Sequence, residues 1–441
     1  MVRKTDKTYR ILVAALLFLI FAERIYVLLE LGADYCSGAD DFNYVPSGIY
    51  FGKTGVLAYD NIPIPSALIM PGMPLVIGLM SRIFGDGVAL WAALKVIWSL
   101  MGTVTAYYIY KSTCLAAPKW CGLIAMACFL LPNQAWMNNV ILTETPYMLA
   151  LTMCIYYTIL MGRSSERRYF LGYFAAVLLG LLFRSNMLVL PFFSAVYVFA
   201  VRKSARWKEL FRRACFMFCT VAILTTPWAI RNYIQFDAFV PFTYGVGNPM
   251  LLGTYQGENY PLDEDLDYET NVAAVVREKY SRYFDEAGNL KEPQYEEYIR
   301  METDSVKARY RISQWLKDDP FSYIKSLFYT KMRFCITWVW YWHGVMGIEP
   351  ESMHVASQIN FVFCCLTVLL SMLLKKQRKE VLFLCLVYWG NMLITAVGFI
   401  TDRYCSTLMA CRYILFGICF YLIAEAVKLV LLRRRQLSRQ V

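Results

Sequence analysis

Two adjacent acids, Asp40-Asp41, stand shortly beyond an apolar run and lead into Phe42-Asn43-Tyr44. Neighbouring carboxylates close to a membrane surface can divide the labour of a transfer reaction. One takes the proton from an acceptor hydroxyl, and the other orients it or helps to hold a metal ion. The same pair also reads as a solvated acidic loop, the ordinary place for carboxylates. Glu144, in Thr143-Glu144-Thr145-Pro146-Tyr147, opens a later apolar run on the same expected side as Asp40. It can complete a shared site with Asp40, or simply cap a helix N-terminus and complement its dipole. Arg184, Arg231, Arg403 and Arg412 also fall on that side, and Arg24, beside Glu23, sits in the outer third of the first apolar run. A guanidinium grips phosphate with two parallel hydrogen bonds. Lipid headgroups or a neighbouring carboxylate can explain any single such arginine. Four of them opposite an acidic pair favour a phosphate site.

Other chemistry has little to stand on. The only histidines are His343 and His354, and no Cys-x-x-Cys occurs among 14 cysteines, so a zinc signature is missing. There is neither a P-loop nor a Gly-x-Gly-x-x-Gly, so no nucleotide cofactor is expected. Most cysteines, such as Cys121, Cys215 and Cys364, lie in apolar runs as small buried hydrophobes. Cys36, Cys335 and Cys405 fall near the expected external side, with their pairing left open.

The elements that must position these residues are membrane helices. Of 441 residues, 58% are hydrophobic and 17% charged, against roughly 25% charged in soluble domains. Apolar runs near 11–31, 87–110, 119–135, 143–162, 169–183, 186–201, 213–230, 354–374, 381–400 and 406–430 predict ten spans. The net charge of +11 does not mean nucleic acid, because the basic residues cluster between spans. Lys111 and Lys119, then Arg163, Arg167 and Arg168, then Arg202 to Arg213 (with Lys203 and Arg206), then Lys375 to Lys379, and the tail Arg433 to Arg435 alternate with unbiased loops. They share a side with Arg3 and Lys4, which makes that side, and both termini, cytoplasmic.

The external side then holds a first loop, 32–86, and a long segment, 231–353. This divides the chain into an N-terminal membrane module (1–230) carrying the catalytic loop, the external segment (231–353) and C-terminal spans (354–441). The stretch Ile69 to Phe84, broken by Pro71, Gly72 and Pro74, predicts an interfacial helix. In the external segment, helical periodicity appears near 269–284 and 293–317, and Asp319-Pro320 starts a helix from Phe321 to Trp342. Its Trp338, Trp340, Tyr341 and Trp342 read as an interfacial belt. Gly245-Val246-Gly247-Asn248-Pro249 reads as a flexible turn.

The order of these motifs resembles the GT-C superfamily of integral-membrane glycosyltransferases, in the branch of the protein O-mannosyltransferases and the bacterial lipid A aminoarabinose transferase. Asp40-Asp41-Phe42-Asn43-Tyr44 matches the Asp-acidic-x-x-Tyr motif of that family's first external loop. Met70-Pro71-Gly72-Met73-Pro74 to Phe84-Gly85 matches its juxtamembrane helix, and Glu144 its second-loop acid. Pro227-Trp228-x-x-Arg231-Asn232-Tyr233, Asp319-Pro320-Phe321 and Arg403-Tyr404 follow in order. The resemblance implies an all-α polytopic enzyme using a polyprenyl-phosphate-linked sugar, with an acceptor that the sequence does not name. It implies Asp40 as the base, with Asp41 and Glu144 in support. Arg231, Arg184, Arg403 and Arg24 would take the donor phosphate, and Tyr44, Asn232, Tyr404 and Lys53 would contact substrate. A divalent cation on Asp40 and Glu144 is an optional partner. Two departures stand out: the second acid of the motif is Asp41 where the family often has Glu, and the external segment is modest.

A surface-polysaccharide polymerase or ligase would share the multi-span plan and the external arginines without requiring the first-loop motif. A transporter of lipid-linked sugars would call for an internal repeat and polar groups at the bilayer midplane; the chain shows no repeat. The absence of an Asn-x-Ser/Thr sequon and the compact loops lean towards a bacterial plasma membrane.

Overall fold

The computed structural model describes residues 2–59, 63–202, 207–257 and 261–437; Lys203 and Arg206 of the third basic cluster, and the side chains of Arg3 and Lys4, lie outside the described set. Among the described residues the chain is all helix, with only isolated bridges such as Ala58–Pro65 in place of a sheet. In lipid this is the natural solution, since a helix satisfies its backbone polar groups within itself.

Among the described residues, seven helices are long and apolar enough to cross a membrane: Lys7–Leu31, Val88–Ala116, Glu144–Arg163, Trp207–Phe236, Pro350–Leu374, Arg378–Val397 and Met409–Gln436. Each coincides with an expected span. The other three expected spans are shorter helices, Lys119–Leu130, Arg167–Phe183 and Ser185–Val201. Glu144–Arg163 lies at the centre of the bundle and is mostly buried, whereas Trp207–Phe236 offers nearly all of its surface outward. A helix apolar all round and exposed all round has a stable place only in lipid.

The first loop is built from two helices, Asp41–Thr54 and Gly72–Phe84. They pack through small residues: a Cβ at Gly52 would stand 2.8 Å from the Gly78 carbonyl oxygen. Gly48 and Gly52 form the small-x-x-x-small stripe that allows such an approach. The 231–353 region carries its own smaller core, in which Phe236, Tyr244, Tyr283 and Tyr298 pack against Val272, Val276 and Ile299. Its main helix is Tyr295–Asp318.

Three local expectations change. The expected turn at 245–249 is instead the start of a helix, Gly247–Gly253, packed so tightly that a Cβ at Gly247 would strike the Met301 carbonyl of Tyr295–Asp318. The helix expected to reach Trp342 ends at Thr337. The aromatic belt also splits: Trp338 and Trp342 are about half exposed, but Trp340 and Tyr341 are buried against Trp136. Aromatic density alone does not separate a membrane anchor from a core plug.

Candidate active site

Asp40 is the residue before helix Asp41–Thr54 and makes no capping bond to it. Its carboxylate is therefore free to reach across the bundle. Oδ2 lies 2.8 Å from Arg403 Nη1, and Tyr59 donates its hydroxyl to Oδ1 at 3.3 Å. Asn43 Nδ2 donates to the Tyr59 oxygen at 3.4 Å, and the Tyr44 ring meets that of Tyr59 edge-on at 6.2 Å.

Arg403 continues the chain. Its Nε donates to Glu144 Oε1 at 2.7 Å, and Arg184 Nη2 donates to the same oxygen at 2.9 Å. The Arg184 guanidinium lies 5.1 Å from the Tyr404 ring centre and 5.7 Å from that of Tyr147, within cation–π range. Residues 40, 144, 184 and 403 thus form one file of alternating charge, drawn from four separate segments. Glu144 is fully buried. Its two arginines satisfy one oxygen, and Oε2 has no hydrogen-bond partner. A buried carboxylate on this scale of desolvation is stable only because it is paired.

The electrostatics follow from the file. Burial alone would lower the Arg403 pKa, but Glu144 and then Asp40 outweigh it and hold it well above the usual arginine value. Burial, reinforced by the Asp40 charge, pushes the Tyr44 and Tyr59 phenols up. All three groups stay protonated at neutral pH, and Arg403 and Tyr59 direct their protons at Asp40. Neither Arg403 Nη2 nor Arg184 Nε and Nη1 hydrogen-bonds to a described residue. The Asp40 side chain is 38% exposed while those of Arg403 and Arg184 are 10% and 16% exposed. The arrangement offers an accessible carboxylate oxygen beside guanidinium edges with donors to spare.

The backbone around Arg403 is held from three directions. Lys331 donates to the Ala396 and Gly398 carbonyls at 2.6 and 2.9 Å. The Gln256 side-chain amide brackets Ile400, accepting from its N–H at 2.8 Å and donating to its carbonyl at 2.7 Å. A disulfide joins Cys335 to Cys405, with 6.0 Å between the Cα atoms. Cys36 is free. Thr401 and Asp402 then cap the short helix Asp402–Ser406 by accepting from the Arg403 N–H.

Several expected site residues lie elsewhere. Asp41 is buried and turned back, accepting from the Ser37 N–H at 2.7 Å and its hydroxyl at 2.9 Å, so it closes a turn and does not accompany Asp40. Arg231 donates to the Ser66 and Leu57 carbonyls at 2.8 and 2.9 Å and to Asn232 Oδ1. Asn232 is buried and donates to the Val240 carbonyl. Lys53 pairs with Asp86 at the exposed end of the loop helices. Arg24 is buried, bonded to Asn138, to the Ile20 and Phe129 carbonyls and to Glu23. Arg412 is buried on Asn360 and the Ser357 carbonyl. Tyr59, Lys331 and Gln256 had no sequence signal: each acts through a partner 19 or more positions away, at no periodic spacing.

Asp40 and Glu144 share Arg403 between them, and among the described residues no three His, Cys, Asp or Glu side chains converge into an all-protein cage for a metal ion. A divalent cation here would be held by one carboxylate together with a substrate phosphate, for which Asp40 is the accessible ligand.

No family model matches the chain, and no curated protein matches it by sequence. Solved structures do match. The oligosaccharyltransferase AglB of Archaeoglobus fulgidus, in complex with an inhibitory peptide and a dolichol-phosphate, aligns with 97% of this chain and 52% of its own at TM-score 0.55 and 13% identity. The apo form of the Archaeoglobus fulgidus oligosaccharyltransferase aligns over 96% and 52% at TM-score 0.56 and 14% identity. A complex of the same archaeal transferase with Zn and sulfate gives 93%, 49%, 0.52 and 12%. The chain spans about half the length of these structures. The match to ArnT of Cupriavidus metallidurans, at TM-score 0.41, is too loose to argue from. At such identities the likeness is one of fold alone: this polytopic all-helical chain shares the architecture of the aligned half of the archaeal transferase.

Proposed function

We propose that the chain is a glycosyltransferase that takes a sugar from a polyprenyl phosphate at the outer face of the membrane. The observation that carries this reading is the file Asp40–Arg403–Glu144–Arg184, in which an exposed carboxylate oxygen stands beside guanidinium donors with no other partner. Sugar transfer from a phosphate ester needs a base for the acceptor hydroxyl and positive charge for the departing phosphate, through an oxocarbenium-like state. Asp40 Oδ1 is the base: Arg403 anchors the other oxygen, and Tyr59 orients this one. Arg403 and Arg184 are the phosphate donors, with Glu144 holding both in place. Tyr44 and Tyr404 wall the site.

Three further features agree. Arg184 leads into the turn Ser185–Val189, whose Leu188 begins an apolar groove of about 610 Å³ along Trp207–Phe236, lined by Phe218, Val221, Ile230 and Tyr233. A prenyl chain suits such a groove. The Cys335–Cys405 disulfide beside the site belongs in an oxidising compartment. The solved structures of this fold include one with a dolichol-phosphate. The site faces outward in a plasma membrane.

The test is transfer or donor hydrolysis with a panel of labelled polyprenyl-phosphate sugars, using the full chain in nanodiscs and a membrane extract as acceptor. Activity of the wild type, lost in Asp40→Asn, supports the reading. Equal inactivity on every donor moves the weight to a diphosphate-linked oligosaccharide donor or to lipid transport. Direct displacement predicts inversion at the anomeric carbon; retention would remove Asp40 from the role of base.

A further inference from the structure

A second cavity, of about 460 Å³, opens between helices Lys331–Thr337 and Pro350–Leu374. Its walls are Thr330, Arg333, Phe334 and Trp338 on one side and His354 and Gln358 on the other. These positions share one face of each helix, by spacings of three and four residues. Lys331 and Cys335, which hold the Arg403 segment, lie on the buried face of the same short helix. The cavity is therefore separate from the Asp40–Arg403 file.

Its chemistry is that of an anion site at a membrane boundary. Arg333 is exposed, and its guanidinium makes no ion pair with a described residue; no carboxylate lines the cavity. The Val339 N–H donates to His354 Nδ1 at 3.2 Å. The neutral ring must then carry its proton on Nε2, a second donor. Gln358 gives its amide N–H to the Thr337 carbonyl at 3.3 Å and keeps its oxygen for a hydroxyl. Phe334 and Trp338 stack at 5.9 Å, and Trp338 meets His354 edge-on at 4.8 Å. Trp338 is half exposed. His354 and Gln358 lie in the first turns of a helix long and apolar enough to cross the membrane, so the cavity opens where headgroups meet acyl chains. A guanidinium, an imidazole donor and an amphipathic aromatic wall at that depth match a lipid phosphodiester.

We propose that this cleft binds the phosphate of an anionic membrane phospholipid, through Arg333 and His354, with the glycerol or headgroup hydroxyls against Gln358 and the acyl chains along Phe334 and Trp338. The site would be occupied from the leaflet at the end of the bundle that carries the first loop, independently of any sugar donor.

The experiment is native mass spectrometry of the full chain, delipidated in detergent and titrated with phosphatidylglycerol, with diacylglycerol of the same chains, or with inorganic phosphate. Wild type is expected to take up one phosphatidylglycerol with higher affinity than the rest, and R333Q to bind that copy about tenfold more weakly. Diacylglycerol is expected to bind both forms alike. Equal phosphatidylglycerol affinity in wild type and R333Q would overturn the proposal. So would displacement of the lipid by millimolar inorganic phosphate, which would make the cleft a site for soluble anions.

Discussion

Arg403 and Arg231 read alike in the sequence. Each stands where an apolar run meets a loop on the expected external side, and each has a tyrosine within the next two positions, Tyr404 or Tyr233. In the fold they do different things. Arg403 lies between two carboxylates and keeps one nitrogen without a partner. Arg231 is satisfied by the Ser66 and Leu57 carbonyls and fixes the far part of the first loop. No carboxylate pairs with Arg231 among the described residues, whereas at Arg403 two carboxylates outweigh burial and hold the guanidinium charged. A guanidinium spread over backbone carbonyls is a brace. One between acids, with donors left over, is the arrangement that the proposed phosphate site uses. The lesson is that the partners of an external arginine, more than its position, tell what it does.

The comparison can be broken at several points. The largest effect is expected for Asp40→Asn, which should lower sugar transfer by about 10²–10⁴-fold with an unchanged melting temperature; comparable activity would dissolve the special status of the file. Glu144→Gln should follow. It leaves Arg403 and Arg184 without their shared anion, and denaturant unfolding should show a loss of about 3–5 kcal/mol, as expected for breaking a buried pair.

Lys331→Met is next. It leaves the Ala396 and Gly398 carbonyls without their donor, at a cost of about 1–3 kcal/mol. A rise in donor KM should accompany it, because Arg403 loses its fixed backbone; a change in stability with KM unmoved would reduce Lys331 to a packing residue. Arg231→Gln should cost a similar about 1–3 kcal/mol while leaving kcat of the folded enzyme nearly as it was. If Arg231→Gln instead abolished transfer without loss of stability, the contrast with Arg403 would fail. The smallest effect belongs to Lys53→Ala. Its exposed pair with Asp86 should be worth about 0–1 kcal/mol, and neither melting nor kinetics should move measurably.

Much of this was legible beforehand, for identifiable reasons. A membrane helix must be apolar for about 20 residues, so hydropathy alone located the seven full-length spans and marked the three shorter helices. The break at Pro71, Gly72 and Pro74 announced the helix Gly72–Phe84. Asp40, Glu144, Arg184 and Arg403 could be nominated one at a time, because charge at the edge of an apolar run is costly and needs a reason.

Their assembly was another matter. Glu144 and Arg403 are 259 positions apart, and no periodicity links them; only the packing of Glu144–Arg163 at the centre of the bundle brings them to 2.7 Å. The sequence could not separate Asp40 from Asp41, because adjacent residues at the start of a helix point in different directions and only the turn at Ser37 decides which is claimed. Nor could it distinguish Trp340, buried on Trp136, from Trp338 at the rim of the second cleft. Composition and spacing are enough to specify membrane spans, since lipid is a uniform solvent that acts on each segment alone. The partners of charged and aromatic side chains are set by contacts between distant segments, and those exist only once the bundle has closed.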